Sequence, residues 1–319
     1  MNTKSVFLTI FFSLIIVSVS GALLILAFAP EKYTPGEEVL NIEVVDDSVD
    51  VSSQPVLVGG NVVQGQTQTA EGAYYCTLTA KADAGYSFGY WQNGTIKLSG
   101  DSTITLSASS VDALNTLTRA CSPVFVSNEN VFEIADMTDF AGILVRDINN
   151  DATSGKIYKL TADIFNYSTG ASPISLALGV FRGIFDGNNH SIGNIYINGA
   201  GMFEALDGAV VKDIILSGSV NSNSNYAGGL CGSVSASLVS RCLSHFNIAN
   251  TAEEGFAGGI VGVCSSASVR SMLFCCGFYG SISANTADQM IGSNLSVNAA
   301  NLKACAIFKP KYNGAIKKS

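Results

Sequence analysis

Asp186 and His190 are the side chains whose type and spacing come nearest to acid–base chemistry: a carboxylate and an imidazole in one run, FDGNNH. A carboxylate held beside an imidazole is a common way to build a general base. The same run has a plainer use. Asp-Gly is a turn signal, and an aspartate heading a turn accepts backbone N–H groups that would otherwise lack partners. The whole run reads as a corner between two extended stretches, so the structural use is favoured and no catalytic residue is assigned.

A second candidate set is cationic. Lys212, Arg241 and Arg270 fall at related places in repeated segments, with Asp213 as the one nearby acid, and form a mildly basic strip suited to an anionic glycan. Charges on an outward, solvated strand face would look the same. The eight cysteines lack metal-ligand spacing, with Cys275-Cys276 the only close pair, and neither metal nor cofactor is expected. Cys76 and Cys121 lie in one candidate module, where an exported chain could join them as a disulfide or keep them as thiols. Cys231, Cys242 and Cys264 sit in apolar runs and read as buried thiols.

The elements that position these residues are repeats. Gly228-Gly229-Leu230-Cys231-Gly232 returns as Gly258-Gly259-Ile260-Val261-Gly262, and Met290-Ile291-Gly292 keeps the ending. Alternating apolar stretches follow each glycine run, beginning at Val211, Val239 and Val269. A period near 30 residues with β-type runs indicates a solenoid, one turn per repeat, with coils ~4.8 Å apart. Inward ladders are then Leu230/Ile260/Met290 and Ile214/Cys242/Met272. The glycines allow turns and close approach between coils. Solenoid enzymes that cut pectin-like polymers need carboxylates clustered on neighbouring coils. No such cluster emerges from the spacing, and polysaccharide cleavage stays the rival reading.

Upstream, charge and hydropathy divide the chain further. Residues 5–29 carry no charge and are long enough to cross a bilayer as a helix of ~1.5 Å rise per residue. The run continues well past Gly21, which favours an uncleaved anchor, while Ser18-Val19-Ser20 before Gly21 would suit a cleaved signal peptide. Either way, residues 31–319 are expected outside the cytoplasm. Residues 30–54 hold seven acids against one Lys32 and read as a self-repelling spacer. Net charge is −8 and no strongly basic stripe offsets it, which argues against nucleic acid as the main partner. The lysines of 309–319 read as a solvated tail.

Residues 55–126 alternate as strands around Ala84-Gly85-Tyr86-Ser87-Phe88-Gly89-Tyr90-Trp91. That run resembles the divergent internalin-B-type repeat, a small β-grasp module of bacterial surface proteins, and implies an aromatic core around Trp91. It departs from the family in Gly89-Tyr90 and in Cys76. Residues 127–308 are similar to the GLUG-motif repeats of bacterial surface proteins. The similarity rests on Phe132-Glu133-Ile134, on Gly155 to Ile164, and on Phe181-Arg182-Gly183-Ile184-Phe185-Asp186-Gly187-Asn188-Asn189-His190-Ser191-Ile192. It implies a short right-handed parallel β-helix and a role in adhesion to host or cell-surface glycans or proteins. The expected class is all-β: membrane segment, β-grasp-like module, then solenoid. A structural unit of a larger surface array is the third reading.

Overall fold

Period-two alternation with glycine at the corners gives strands that can bury one face only by stacking on copies of themselves. The computed structural model shows this arrangement. It describes residues 39–40, 57–70, 72–165, 174–265, 270–288, 290–294, 300–303 and 306–312. The expected membrane segment 1–29 and nearly all of the spacer 30–54 lie outside the described residues. Among the described residues no helix is long and apolar enough to cross a membrane.

Residues 131–312 form a parallel β-solenoid of about five turns. One sheet runs through Val131–Ile134, Ile157–Leu160, Ile184–Asn198, Val210–Ser222, Leu238–Ser240, Ser271–Phe274 and Ala300–Lys303. The long strands Ile184–Asn198 and Val210–Ser222 bend into a second face, continued by Leu243–Asn250, Gly277–Ser283 and Ala306–Tyr312. A separate sheet stacks Leu178–Phe181, Phe203–Asp207, Cys231–Ser235, Val261–Cys264 and Ile291–Asn294. Inside, Phe181, Phe185, Phe203, Phe246 and Phe278 are fully buried among stacked Ile, Leu and Val.

The glycine repeats behave as read. Cys231, Val261 and Ile291 stand in register, and the Leu230/Ile260/Met290 ladder is buried. A Cβ on Gly258 would lie 2.1 Å from the Val261 carbonyl, so the coil corner closes only around glycine.

The second expected ladder is corrected by the register. Met272 pairs with Leu238, which pairs with Val210, whereas Leu243 pairs with Gly277 and Ile215, so Cys276 rather than Met272 follows Cys242 in the column of Ile214. The turn from Val239 to its true successor Leu273 is longer than the turn from Val211 to Val239. Val269, the expected successor, lies outside the described residues.

One end of the solenoid is capped. Asp136 accepts from Thr138 N at 2.7 Å and Asp139 N at 3.0 Å, opening a helical run over 137–149. Its middle, Phe140–Val145, is π-helical. Phe140, Leu144 and Ile148 share one face and join the solenoid core.

Residues 57–127 form a smaller module of two sheets and one helix. Gly60–Gln64, Ala73–Ala82 and Thr103–Ala108 make one antiparallel set, with Gln68–Ala70 beside it. Val39–Leu40, inside the expected spacer, adds a parallel edge to Thr103–Ala108. Tyr86–Asn93 lies between Ile96–Ser99 and Cys121–Ser127 in the other sheet. The helix Val111–Ala120 starts at Ser110, whose hydroxyl accepts from Ala113 N, and buries Leu114 and Leu117. Trp91 is fully buried and fills the core of this module.

Core side chains of this module join a cluster with Ile157, Ile184, Val210, Leu238 and Met272, one in-register row on the outside of the solenoid. Each such side chain contributes roughly 1.5–3 kcal/mol when fully buried. That contact makes module and solenoid a single body.

Candidate ligand-binding surface

The FDGNNH corner is built on backbone need. Asp186 Oδ1 accepts from Asn188 N at 2.8 Å, and Asn188 and Asn189 take positive φ of 50° and 64°. Asparagine tolerates that conformation better than most residues. The other oxygen, Asp186 Oδ2, pairs with Lys212 Nζ at 2.9 Å. His190 instead faces Asp163, Nδ1 to Oδ1 3.4 Å. Asp163 Oδ1 also accepts from Ser191 N at 2.8 Å and Ser191 Oγ at 3.0 Å. Ser191 therefore donates to the carboxylate, whereas a nucleophilic relay needs it to donate to the imidazole. These contacts hold one coil onto the next.

Lys212, Arg241 and Arg270 do not form a strip. Arg241 grips Asp213 with both arms of its fork, Nε–Oδ1 2.5 Å and Nη2–Oδ2 2.9 Å, and reaches Asp101 of the smaller module through Nη1 at 2.7 Å. Burial would pull its pKa down, but Asp213 and then Asp101 outweigh that and hold it above the usual arginine range. Lys212 lies between Asp186 and Asp213, at 2.9 and 3.6 Å. Asp213, Arg241 and Cys275 occupy one corner column, all with φ near +50°. Lys212 comes two residues after Val210, whereas Arg270 comes two before Met272, and Val210 and Met272 share a row. Arg270 is therefore about 13 Å along the strand direction from the Lys212 position. The acids across the corner already engage two of the three cations that were expected to meet a ligand.

Asp147 was not singled out by any spacing. It is 4% exposed and accepts from Lys156 Nζ at 2.8 Å, Tyr158 Oη at 2.8 Å and Arg146 at 3.0 Å. Burial pushes its carboxyl up, but the three donors outweigh that and hold it below the ordinary aspartate value. The same burial and the same carboxylate raise the Tyr158 hydroxyl. This cluster pins the helical cap to the Ile157–Leu160 strand.

Of the two states left open for Cys76 and Cys121, the structure has both as buried thiols. Cys76 sits in Ala73–Ala82 and donates to Gly65 O at 3.5 Å, while Cys121 opens Cys121–Ser127 in the other sheet. Burial raises the Cys76 thiol and pushes Cys121 and Cys264 up to about 12. Cys231, Cys242 and Cys264 are buried, as the apolar runs implied.

The surface with chemistry to offer is the second face of the solenoid. Its outward rows are Tyr196/Ser219/Asn247/Ser281 and Asn198/Asn221/Ala249/Ser283. Asn221 Nδ2 donates to Tyr196 Oη at 2.9 Å, and Ser281 Oγ to Asn247 Oδ1 at 2.8 Å. Beside them, the rings of His245 and Tyr279 meet edge to face at 4.6 Å, and Tyr279 is 43% exposed. Burial lowers the pKa of His245, which favours the neutral imidazole. The stretches 191–198, 214–222, 243–250 and 277–283 contain no Asp, Glu, Lys or Arg. Lys311 stands in register next to Ser281, so the uncharged area spans the four coils before it. In the sequence this face is marked only by charge gaps, at 187–203, 214–240, 242–252 and 271–287.

No family model and no curated protein matches the chain. Among solved structures it is similar to a Bacteroides ovatus protein provisionally named an immunoglobulin A1 protease. Identity is 15% and TM-score 0.38, over 59% of this chain and 78% of that one. A structure named IgA1 Protease is also similar, at 12% identity and TM-score 0.32, over 80% of this chain and 20% of that one. Likeness at this level carries no inference about activity.

Proposed function

We propose that the chain is an extracytoplasmic surface protein, anchored by or exported through its apolar segment 5–29, that binds a partner along its solenoid without cleaving it. In this reading the coils are a right-handed GLUG-type helix, and residues 55–126 are an internalin-B-type module clamped to its flank. The supporting observation is the exposed four-coil face around Tyr196, Asn247 and Tyr279, where uncharged and mostly polar side chains stand in register from coil to coil. Parallel stacking repeats a donor or acceptor every ~4.8 Å, which suits an extended partner. The charged groups at the coil corners, by contrast, are engaged with one another.

Two measurements test this. Protease added to intact cells is expected to digest residues 31–319; protection until the cells are permeabilised would overturn the surface assignment. The full chain, immobilised, is exposed to acidic and neutral polysaccharides and to cell-surface proteins, scoring retention and newly formed chain ends together. Retention without new ends supports the proposal. New ends would make the chain an enzyme and point to Asp163, Asp186 and His190.

A further inference from the structure

We infer that the partner of this face is an uncharged polysaccharide, lying across the coils with a sugar ring against Tyr279; this rests on the surface-binding reading above. Three observations converge. First, the face is uncharged over four coils in a chain whose net charge is −8, with Lys311 only at its edge beside Ser281, so neither an anionic nor a cationic partner finds complementary charge across it. Second, its polar groups are amides and hydroxyls: Asn198, Asn221 and Asn247, with Ser219, Ser281 and Ser283. These both donate and accept, as sugar hydroxyls do. Third, the exposed Tyr279 ring is held in place by His245 at 4.6 Å, giving a pre-set apolar surface with a polar rim. An aromatic ring with hydrogen-bonding groups at its edge matches a sugar, whose C–H face is apolar and whose edge is hydroxylated.

The basic corner offers no comparable site for an acidic glycan. Lys212 and Arg241 are 16% and 23% exposed, and Asp186, Asp213 and Asp101 already pair with them.

The test is affinity electrophoresis of the full chain through gels containing galactomannan, mixed-linkage β-glucan, polygalacturonate or heparin. At least one neutral polymer is expected to retard the protein. Retardation should change by less than about twofold between ~0.05 and ~0.5 M salt, because no ion pair forms. Tyr279→Ala is expected to weaken it about tenfold. Tyr279→Phe should keep most of it, and Glu204→Gln, on a different sheet, should leave it unchanged. Retardation only by the acidic polymers, strong salt dependence, or an unaffected Tyr279→Ala would each overturn the inference. Binding to cell-surface protein with no polysaccharide retained would overturn it while leaving the surface-binding reading standing. No binding together with protease protection on cells would remove both.

Discussion

Arg241 and Asp101 lie 140 positions apart in the chain and meet at 2.7 Å, Nη1 to Oδ2, where the smaller module touches the solenoid. The pair closes the rim of an apolar contact. Beneath it run Ile184, Val210, Leu238 and Met272 from successive coils, in one cluster with Trp91 and Leu98.

The apolar row sets the first expectation. Leu238→Ala removes a fully buried side chain from the contact and is expected to cost about 2–5 kcal/mol. Trp91 is the only tryptophan and sits in the module, so its fluorescence reports that part alone. Urea transitions followed by Trp91 emission and by far-UV dichroism should coincide and shift together in the variant. Separate transitions would mean that the two parts unfold independently.

Arg241 and Asp101 should differ in effect although they share a bond. Arg241→Ala leaves Asp213, 12% exposed, with Lys212 at 3.6 Å, and is expected to cost about 3 kcal/mol. Lysine at 241 should rescue little, since it lacks the two-armed fork. Asp101 is 47% exposed, so Asp101→Ala should cost no more than about 1 kcal/mol. Chemical denaturation of the three variants checks the order.

Asp147 gives a pH dependence. Its carboxyl is held below the ordinary value in the folded chain, so the unfolded chain takes up the proton first. The stabilisation is complete above the unfolded pKa of about 3.9 and is lost as pH falls through the lower folded value. Asp147→Asn is expected to destabilise the protein by roughly 3 kcal/mol at neutral pH and to flatten its stability profile below about pH 4. An unchanged acid limb would contradict the assignment.

The buried thiols act at the other extreme. Cys121 and Cys264 are raised to about 12, so in the folded chain they keep protons that the unfolded chain releases above about 8.5. Stability should therefore fall between about pH 8.5 and 12, by up to ~1.4 kcal/mol per pH unit for each thiol. Cys121→Ser should lessen the slope. In a non-reducing peptide map Cys76 and Cys121 should alkylate only after unfolding and yield no joined peptide.

Much of the solenoid was legible because glycine spacing is a local signal: the Gly228 and Gly258 runs mark equivalent corners and do mark them in space. The Asp186 turn and the buried Trp91 followed from residue type in the same way. Register between strands was less legible. A longer turn ahead of Met272 moved it into the row of Leu238, and with it went the expected alignment of Arg270 with Lys212. The pairing of Arg241 with Asp101 and the Asp147 cluster join residues by tertiary contact, and no periodicity encodes that. The neutral face was visible only as missing charge, which is a weak mark until the strands are stacked.

The clamp between module and coils also fixes the gauge of the rod. Duplicating a repeat is the simplest way for such a chain to lengthen, and each added coil advances the stack by ~4.8 Å. A coil inserted between the Ile157 and Leu238 rows would carry Arg241 away from Asp101, and one between Leu238 and Met272 would leave part of the module over a mismatched row. A coil added beyond Met272 would disturb neither. Natural length variants of this architecture should therefore differ at the far end, with the stretch beneath the module constant in coil number.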